Sequence, residues 1–111
     1  MLEETLFSTL SPLFDGRVYP NVAPEAEKPY CTYAQIGGPG INYMESVGSD
    51  KKWARMQINV WSKTYFEAKQ LIIQVEDALR GLNGYVEGAA QSMYDDVLKL
   101  HGFMQDFSFL T

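Results

Sequence analysis

The sequence predicts an α+β fold, with a mostly antiparallel sheet of about four strands and two helices packed on it, in a single small domain over residues 1–111. Residues 53–61 alternate in polarity, which is typical of a strand with one face in the core. Residues 68–79 instead repeat apolar side chains at spacings of three and four, as a helix does. Residues 103–109 place three Phe on one side of a last strand, whose aromatic face should pack against a helix.

The first predicted element is a short amphipathic helix over residues 2–14. Its apolar side chains fall at helical spacings, and Glu3 and Glu4 lie in the first turn, where the helix dipole favours acids. Pro12 has no amide hydrogen for an intrahelical bond, so an end near Leu10 is the alternative.

Two strands and their connections come next. Asp15 and Gly16 predict a turn, and residues 17–19 are long enough for a short strand. Residues 20–29 contain three Pro and two Glu, which predicts a surface connection. Residues 30–36 are rich in strand-forming types and neither of their sides is clearly polar, so they are predicted as an internal strand.

Residues 37–51 are the least regular part of the sequence, with four Gly and one Pro. Loops of this length are uncommon in compact domains and are usually functional or mobile. We predict that the segment 37–52 is a long loop, or a hairpin extension that continues the strands at 30–36 and 53–61. A segment without regular structure is the alternative.

The central helix has sequence signals at both ends. Thr64 and Glu67 have the spacing of a capping box, in which the hydroxyl accepts from a helix amide and the carboxylate reaches back to the cap. Gly81 follows the last turn and is predicted in the left-handed conformation that ends many helices, with Leu82 making the hydrophobic contact of that cap.

The signals are weaker between the central helix and the last strand. Leu82 to Val86 reads as a turn into a short strand, and the following residues either continue or break it, so residues 86–100 stay undecided. Asp95 and Asp96 form a polar interruption, and Gly102 is predicted to split the C-terminal segment.

Composition excludes several function classes. With 14 Asp+Glu against 9 Lys+Arg and an isoelectric point near 4.7, the chain lacks the clustered cations of a duplex DNA binder, so we predict no specific nucleic-acid binding. No apolar run approaches the roughly twenty residues of a membrane span, and Glu3 and Glu4 replace the bases of an export signal. The single Cys31 excludes an internal disulfide and is predicted to be a small buried hydrophobe.

The residues that could carry chemistry form no recognised motif. His101 has no nucleophile or base at a known spacing, and no signature links it to Cys31. Asp95, Asp96 and His101 match no standard metal site. We therefore predict no catalytic residue, no metal, no cofactor and no enzymatic activity.

The candidate site is a protein interface on the second face of the strand at 53–61. Trp and Arg are enriched where proteins meet, whereas a solvated strand face more often carries Lys, Glu and Thr. The alternative is that a second helix covers this face and that both indoles belong to the core. The predicted interface consists of five residues of the strand and two of the preceding loop, which are Trp53, Arg55, Gln57, Asn59, Trp61, Tyr43 and Met44.

Several segments form an ordered series along the chain. Residues 55–61, RMQINVW, make a strand that leads into a helix beginning about Thr64. Residues 18–20, VYP, and the Pro-Tyr strand at residues 29–33 lie upstream, and residues 105–107, QDF, lie downstream. In this order the series resembles the tail-completion proteins of long-tailed bacteriophages and related prophages.

The resemblance has two departures in its main strand, where Met56 and Asn59 stand in place of the Val and Asp that the family favours, and residues 86–100 do not match. It implies a structural, non-enzymatic protein of the virion tail or neck. Such a protein caps the head-proximal end of the tail tube, ends tube polymerisation and helps to join the tail to the head.

The resemblance also implies partners. These are further copies of the chain in a ring, usually of six, the tail tube protein, and a head-completion or connector protein, with assembly in the bacterial host cytoplasm and genome DNA passing through the ring. We expect a monomer or weak oligomer in isolation. The alternatives are another neck or head-closure component, a small cytosolic ligand-binding domain, or an enzyme that uses Cys31 or His101.

Overall fold

The computed structural model describes residues 2–24, 27–36 and 53–110 and confirms the α+β class. Within these residues the chain forms two helices and five strands, so the prediction of about four strands is one short. The elements are α1 (Leu2–Phe14), β1 (Val18–Pro20), β2 (Tyr30–Gln35), β3 (Trp53–Ser62), α2 (Tyr65–Arg80), β4 (Tyr85–Asp95) and β5 (Leu100–Leu110). The predicted loop or hairpin extension over residues 37–52 lies outside the described residues.

The strands form one mixed sheet in the order β1-β2-β3-β5-β4. β1 and β2 run parallel, with Val18 opposite Cys31, and the other three pairings are antiparallel. The sheet is therefore mostly antiparallel, as predicted. The parallel pairing at its β1 edge was not predicted. β2 lies between β1 and β3, which confirms its prediction as an internal strand.

Both helices pack on the same side of the sheet, which we call the helix face. α1 contacts α2 and β1, and α2 contacts β3, β4 and β5. The apolar stripe predicted for the central helix and the Phe side chains predicted for the last strand are buried between these layers, as expected. The core consists of Leu6, Leu10, Phe14, Val18, Cys31, Tyr33, Met56, Ile58, Val60, Ala68, Leu71, Ile72, Val75, Leu79, Phe103, Phe107 and Phe109.

α1 continues to Phe14, so the alternative end near Leu10 is wrong. Leu6, Leu10 and Phe14 recur every four residues and are at most 1% exposed, so their burial stabilises the helix through its last turn. Pro12 is exposed, where water can replace the missing intrahelical partner. The predicted turn follows at residues 15–16, with positive φ angles of 54° and 81°.

α2 begins with half of the predicted capping box. The Thr64 hydroxyl accepts from the Glu67 amide at 3.2 Å, as expected for an N-cap. The Glu67 carboxylate does not reach back to Thr64 but accepts from the hydroxyl of Ser62, whose oxygen accepts from the Thr64 amide at 3.4 Å. Ser62 is fully buried at the end of β3, and these two hydrogen bonds of its hydroxyl link the strand to the helix.

The C-terminus of α2 corrects the prediction for Gly81, which has a right-handed conformation with φ −64°. The left-handed residue is Asn83, with φ 61°. The Asn83 amide donates to the Arg80 carbonyl at 3.0 Å and the Gly84 amide donates to the Leu79 carbonyl at 2.9 Å. These two hydrogen bonds define a Schellman motif with Asn83 at its left-handed position. After Gly, Asn is the residue type that most often adopts this conformation at a helix end.

β4 and β5 form a hairpin, and β4 is one strand in the region that the sequence left undecided. Its register shifts between Glu87 and Gln91, which marks a β-bulge. The side-chain amide of Gln105, which is only 2% exposed on the helix face, donates to the Gly88 carbonyl at 2.9 Å. A buried Gln thus satisfies a backbone group that the bulge leaves without a strand partner.

No helix among the described residues is long and apolar enough to cross a lipid bilayer.

Candidate functional site

The predicted interface lies on the sheet face opposite the helices, which we call the open face. In the described part of the chain both helices pack on the other side, so neither covers this face as the core alternative requires. β3 is the middle strand, and four of its predicted interface residues lie side by side at the centre of the open face. These residues are Arg55, Gln57, Asn59 and Trp61, and all four are half-buried.

The other three predicted interface residues are not placed with the same detail. Trp53 begins β3 opposite Leu110 and alternates with Ala54, so its backbone position belongs to the open face. Its side chain lies outside the described residues, as do Tyr43 and Met44 entirely. Their part in an interface stays a prediction.

Hydrogen bonds link polar side chains of the open face across three strands. The Arg55 guanidinium donates to the Asp106 carboxylate of β5 at 3.1 Å. The Asn59 amide nitrogen donates to the Thr32 hydroxyl of β2 and to the Gln57 side-chain oxygen, both at 3.4 Å. These contacts restrict the conformations of the side chains involved. The buried Nε of Arg55 is left without a hydrogen-bond partner among the described residues.

Trp61 lies across Gly102, its partner in the register of β3 and β5. A Cβ atom at Gly102 would stand 2.7 Å from Cε3 of the indole and 2.8 Å from the Val60 carbonyl oxygen, so a larger residue fits only if the ring and the backbone shift. Gly102 therefore lies inside β5 and does not split it, which corrects the prediction from sequence. The usable signal was that Gly inside a strand often marks a close approach.

Side-chain contacts also occur at both edges of the open face. At the β1 and β2 end, the rings of Tyr19 and Tyr30 pack edge to face with 6.4 Å between their centroids. Burial, and secondly the charge of Asp95, raise the pKa of the Tyr30 hydroxyl. At the β4 end, the Glu87 carboxylate accepts from the Ser108 hydroxyl.

Cys31 and His101 both lie on the helix face, but the fold does not bring them together. Cys31 pairs with Val60 of β3, and His101 pairs with Ser62, so β3 lies between them. Burial raises the pKa of the Cys31 thiol far above its usual range, which disfavours the thiolate that a nucleophile needs. The predicted role of Cys31 as a small buried hydrophobe is confirmed.

The other residues considered as candidates for catalysis or metal binding have structural partners. The His101 ring packs 4.9 Å from the Tyr94 ring and 6.4 Å from the Tyr65 ring, centroid to centroid. The Asp95 carboxylate accepts from two backbone amides of the following turn, and Asp96 forms an ion pair with Lys99 at 3.2 Å. Among residues 2–24, 27–36 and 53–110, no three His, Cys, Asp or Glu side chains are grouped as a metal site would require.

Comparison with known proteins gives a match over most of the chain. A family model described as tail completion protein gp17 matches residues 7–107 of the chain. The matched range begins inside α1 and extends into β5, so it includes all four residues at the centre of the open face. No curated protein matches the chain.

Proposed function

The chain belongs to the tail completion protein gp17 family, and from this premise we propose that it closes the head-proximal end of a phage tail tube. Membership makes it a structural component of a phage tail, and so of the virion. In the proposal, six copies form a ring on the tube end, stop further addition of tube protein and present a docking surface to the head connector. Assembly takes place in the bacterial host cytoplasm.

The family match carries this proposal, and the open face supports it physically. Trp and Arg are among the types enriched at interface hot spots, and Trp61 and Arg55 both lie half-buried on this face. The Arg55–Asp106 and Asn59–Thr32 hydrogen bonds hold polar groups in place, which lowers the entropy that is lost when a partner binds. We assign the open face to contact with the tail tube or the connector.

Net charge bears on the passage of DNA through such a ring. The chain has a formal net charge of −5, so copies in a ring repel phosphates on average and do not grip them. We expect an electronegative or neutral lumen that lets genome DNA slide. A ring reconstruction with a positive lumen would end this part of the proposal.

The proposal is tested by polymerising purified tail tube protein with and without this chain and measuring tube lengths by electron microscopy. We expect the wild-type chain to shorten the tubes and to be found at one tube end. Trp61→Ala should fold, as judged by circular dichroism, and lose this effect. Phe66→Ala, which truncates a 77% exposed aromatic residue on α2, is the matched control and should act as wild type.

The same preparation separates the main alternative. If the wild-type chain leaves tube length unchanged but binds purified portal–connector complexes, it is a head-closure component. If Trp61→Ala unfolds the protein, the indole belongs to the core and the open face loses its assignment.

A further inference from the structure

A groove lies between α1 and β1, on the helix face at the β1 edge of the sheet. Its volume is about 550 Å³, in the range of ordinary binding pockets. The open face is on the other side of the sheet, so the groove is separate from the surface assigned above.

One part of the groove is apolar. Val18 of β1 and Tyr33 of β2 line it and are only 3% and 8% exposed, whereas the Phe7 ring of α1 is 43% exposed beside them. Pro20 extends the apolar lining at the end of β1. A ligand that covers the Phe7 ring removes apolar area from water, which favours binding.

The other part of the groove is acidic. Glu3 and Glu4 of the first turn of α1 line it, and both are exposed. The lining includes no Lys, Arg or His. None of the ion pairs formed within the described part of the chain involves either carboxylate. The groove therefore presents two negative charges that no described side chain of this protein balances.

Tyr33 links the acidic part to the apolar part. Burial first, and then the charge of Glu3 and its hydrogen bond with the hydroxyl, raise the pKa of Tyr33. A carboxylate has two oxygens and about four acceptor positions, so Glu3 keeps the capacity to accept from a cation. The Glu3 carboxylate is thus an acceptor held next to an aromatic surface.

The spacing of the two parts matches an extended peptide. Glu3 and Phe7 are four residues apart on α1, which corresponds to about 6 Å along the helix axis. Side chains two residues apart on an extended segment lie on the same side and are separated by roughly 6.6 Å. A cationic residue and an apolar residue at that spacing would reach both parts together.

We propose that this groove binds an extended segment of another protein in which Lys or Arg lies two residues from a large apolar side chain. The cation pairs with Glu3 and Glu4, and the apolar side chain covers Phe7. Charge selects this occupant, because the groove is negative and repels acidic segments. It also disfavours a second copy of the chain, whose net charge is −5.

The inference goes beyond the proposed function and does not rest on it, since it concerns the other side of the sheet. It is tested with the full chain and two synthetic peptides, acetyl-Thr-Lys-Thr-Leu-Thr-amide and the same peptide with Glu in place of Lys. Binding is followed by two-dimensional NMR of the backbone amides. We expect the Lys peptide to shift the amides of Phe7, Ser8 and Tyr33 until saturation, and the Glu peptide to shift none of them.

Charge variants sharpen the test. Glu4→Lys should lose binding of the Lys peptide and gain binding of the Glu peptide. Asp77→Lys makes the same change of charge at an exposed position of α2 outside the groove, and this matched control should bind the Lys peptide as the wild type does. Glu4→Gln removes one charge and should weaken binding about two- to fivefold, as for an exposed ion pair.

Several outcomes would overturn the proposal. Equal shifts with the two peptides would show that the groove does not select charge, and shifts confined to other surfaces would place the binding elsewhere. Tighter binding after Lys51→Ser and Lys52→Ser would show that the chain's own lysines occupy the groove. Groove shifts that depend on protein concentration without peptide would assign it to a second copy.

The outcome is distinguishable from that of the proposed function, which is measured by tube length. Trp61→Ala, on the open face, should bind the Lys peptide as the wild type does. A chain that binds the peptide but does not limit tube length would keep the groove assignment and lose the proposed function. A chain that limits tube length without binding the peptide would do the reverse.

Discussion

The two faces of the sheet are formed by the same strands but differ in polarity and burial. On the helix face, Met56, Ile58 and Val60 are at most 1% exposed and pack against both helices. On the open face, their neighbours Arg55 and Gln57 are half-buried and polar; Arg55 donates to Asp106 of β5, and Gln57 accepts from Asn59 of the same strand. Because side chains alternate along a strand, one segment supplies both surfaces without conflict.

The contrast separates stability from recognition. Burial of apolar area on the helix face supplies most of the free energy of folding, so substitutions there should destabilise the protein strongly. The half-buried polar residues of the open face contribute weak, partly solvated contacts, so substitutions of these residues should leave the fold in place. Function can then be lost without loss of structure only on the open face and on other exposed surfaces.

The largest expected effect is on the helix face. Phe107→Ala removes a fully buried ring and should lower the free energy of unfolding by about 3–5 kcal/mol. The measurement is urea denaturation followed by fluorescence. Met104→Ala, on the half-buried open side of the same strand, is the matched control and should cost clearly less. Equal costs for the two variants would remove the distinction between the faces.

The next effect is a clash on the open face. Gly102→Ala places a methyl group within 3 Å of the Trp61 ring and of the Val60 carbonyl, and such overpacking should cost about 1–3 kcal/mol. In a Trp61→Ala background the clash with the ring is absent and the clash with the Val60 carbonyl remains. The loss of stability caused by Gly102→Ala should therefore be smaller but not zero. Additive costs in this double-mutant cycle would show that the indole does not lie across Gly102.

A pH dependence should come from the helix face through Cys31. Burial raises the pKa of this thiol, so the unfolded chain, with an ordinary thiol pKa of about 8.5, loses its proton first as pH rises. Stability is therefore fully present below about pH 8.5 and falls above it by up to about 1.4 kcal/mol for each pH unit.

Urea denaturation at several pH values between about 7 and 9.5 measures this slope, in the range before most tyrosines ionise. Cys31→Ala is the control and should flatten the profile, although its stability at neutral pH will be lower. A wild-type profile that is as flat as that of the variant would contradict burial of the thiol.

The smallest expected effect is that of Arg55→Met. The Arg55 side chain is 43% exposed and its partner Asp106 is 22% exposed, so the ion pair should contribute at most about 1 kcal/mol to folding. Thermal unfolding should be nearly unchanged, while control of tube length should be lost. Severe destabilisation would instead assign this side chain a structural role and weaken the case for the open face.

Local patterns explain which elements the sequence predicted. The alternation of β3, the apolar stripe of α2 and the three Phe of β5 are each visible within about ten residues. The sides of these elements were predicted correctly for the same reason. Leu79 and Val60, for example, are fully buried as their spacing indicated.

Elements that depend on distant partners were missed or misread. β4 has little alternation of its own, since residues 88–90 are Gly, Ala and Ala, and its pairing with β5 defines it as a strand. The parallel pairing of β1 with β2 has no local signature either. The sequence predicted Gly81 as the left-handed residue, but Asn83 has that conformation. Both residue types can adopt it, and only the hydrogen bonds of the helix end distinguish them.

The candidate site divides in the same way. That Arg55, Gln57, Asn59 and Trp61 share one face follows from the two-residue period of a strand and needed no structure. That both described helices pack on the other side, that Arg55 pairs with Asp106, and that Trp61 requires Gly102 were decided by strand order and register. Periodicity is a property of neighbouring residues, whereas cover, partners and close approaches arise between residues far apart in the chain, so only the tertiary structure could decide them.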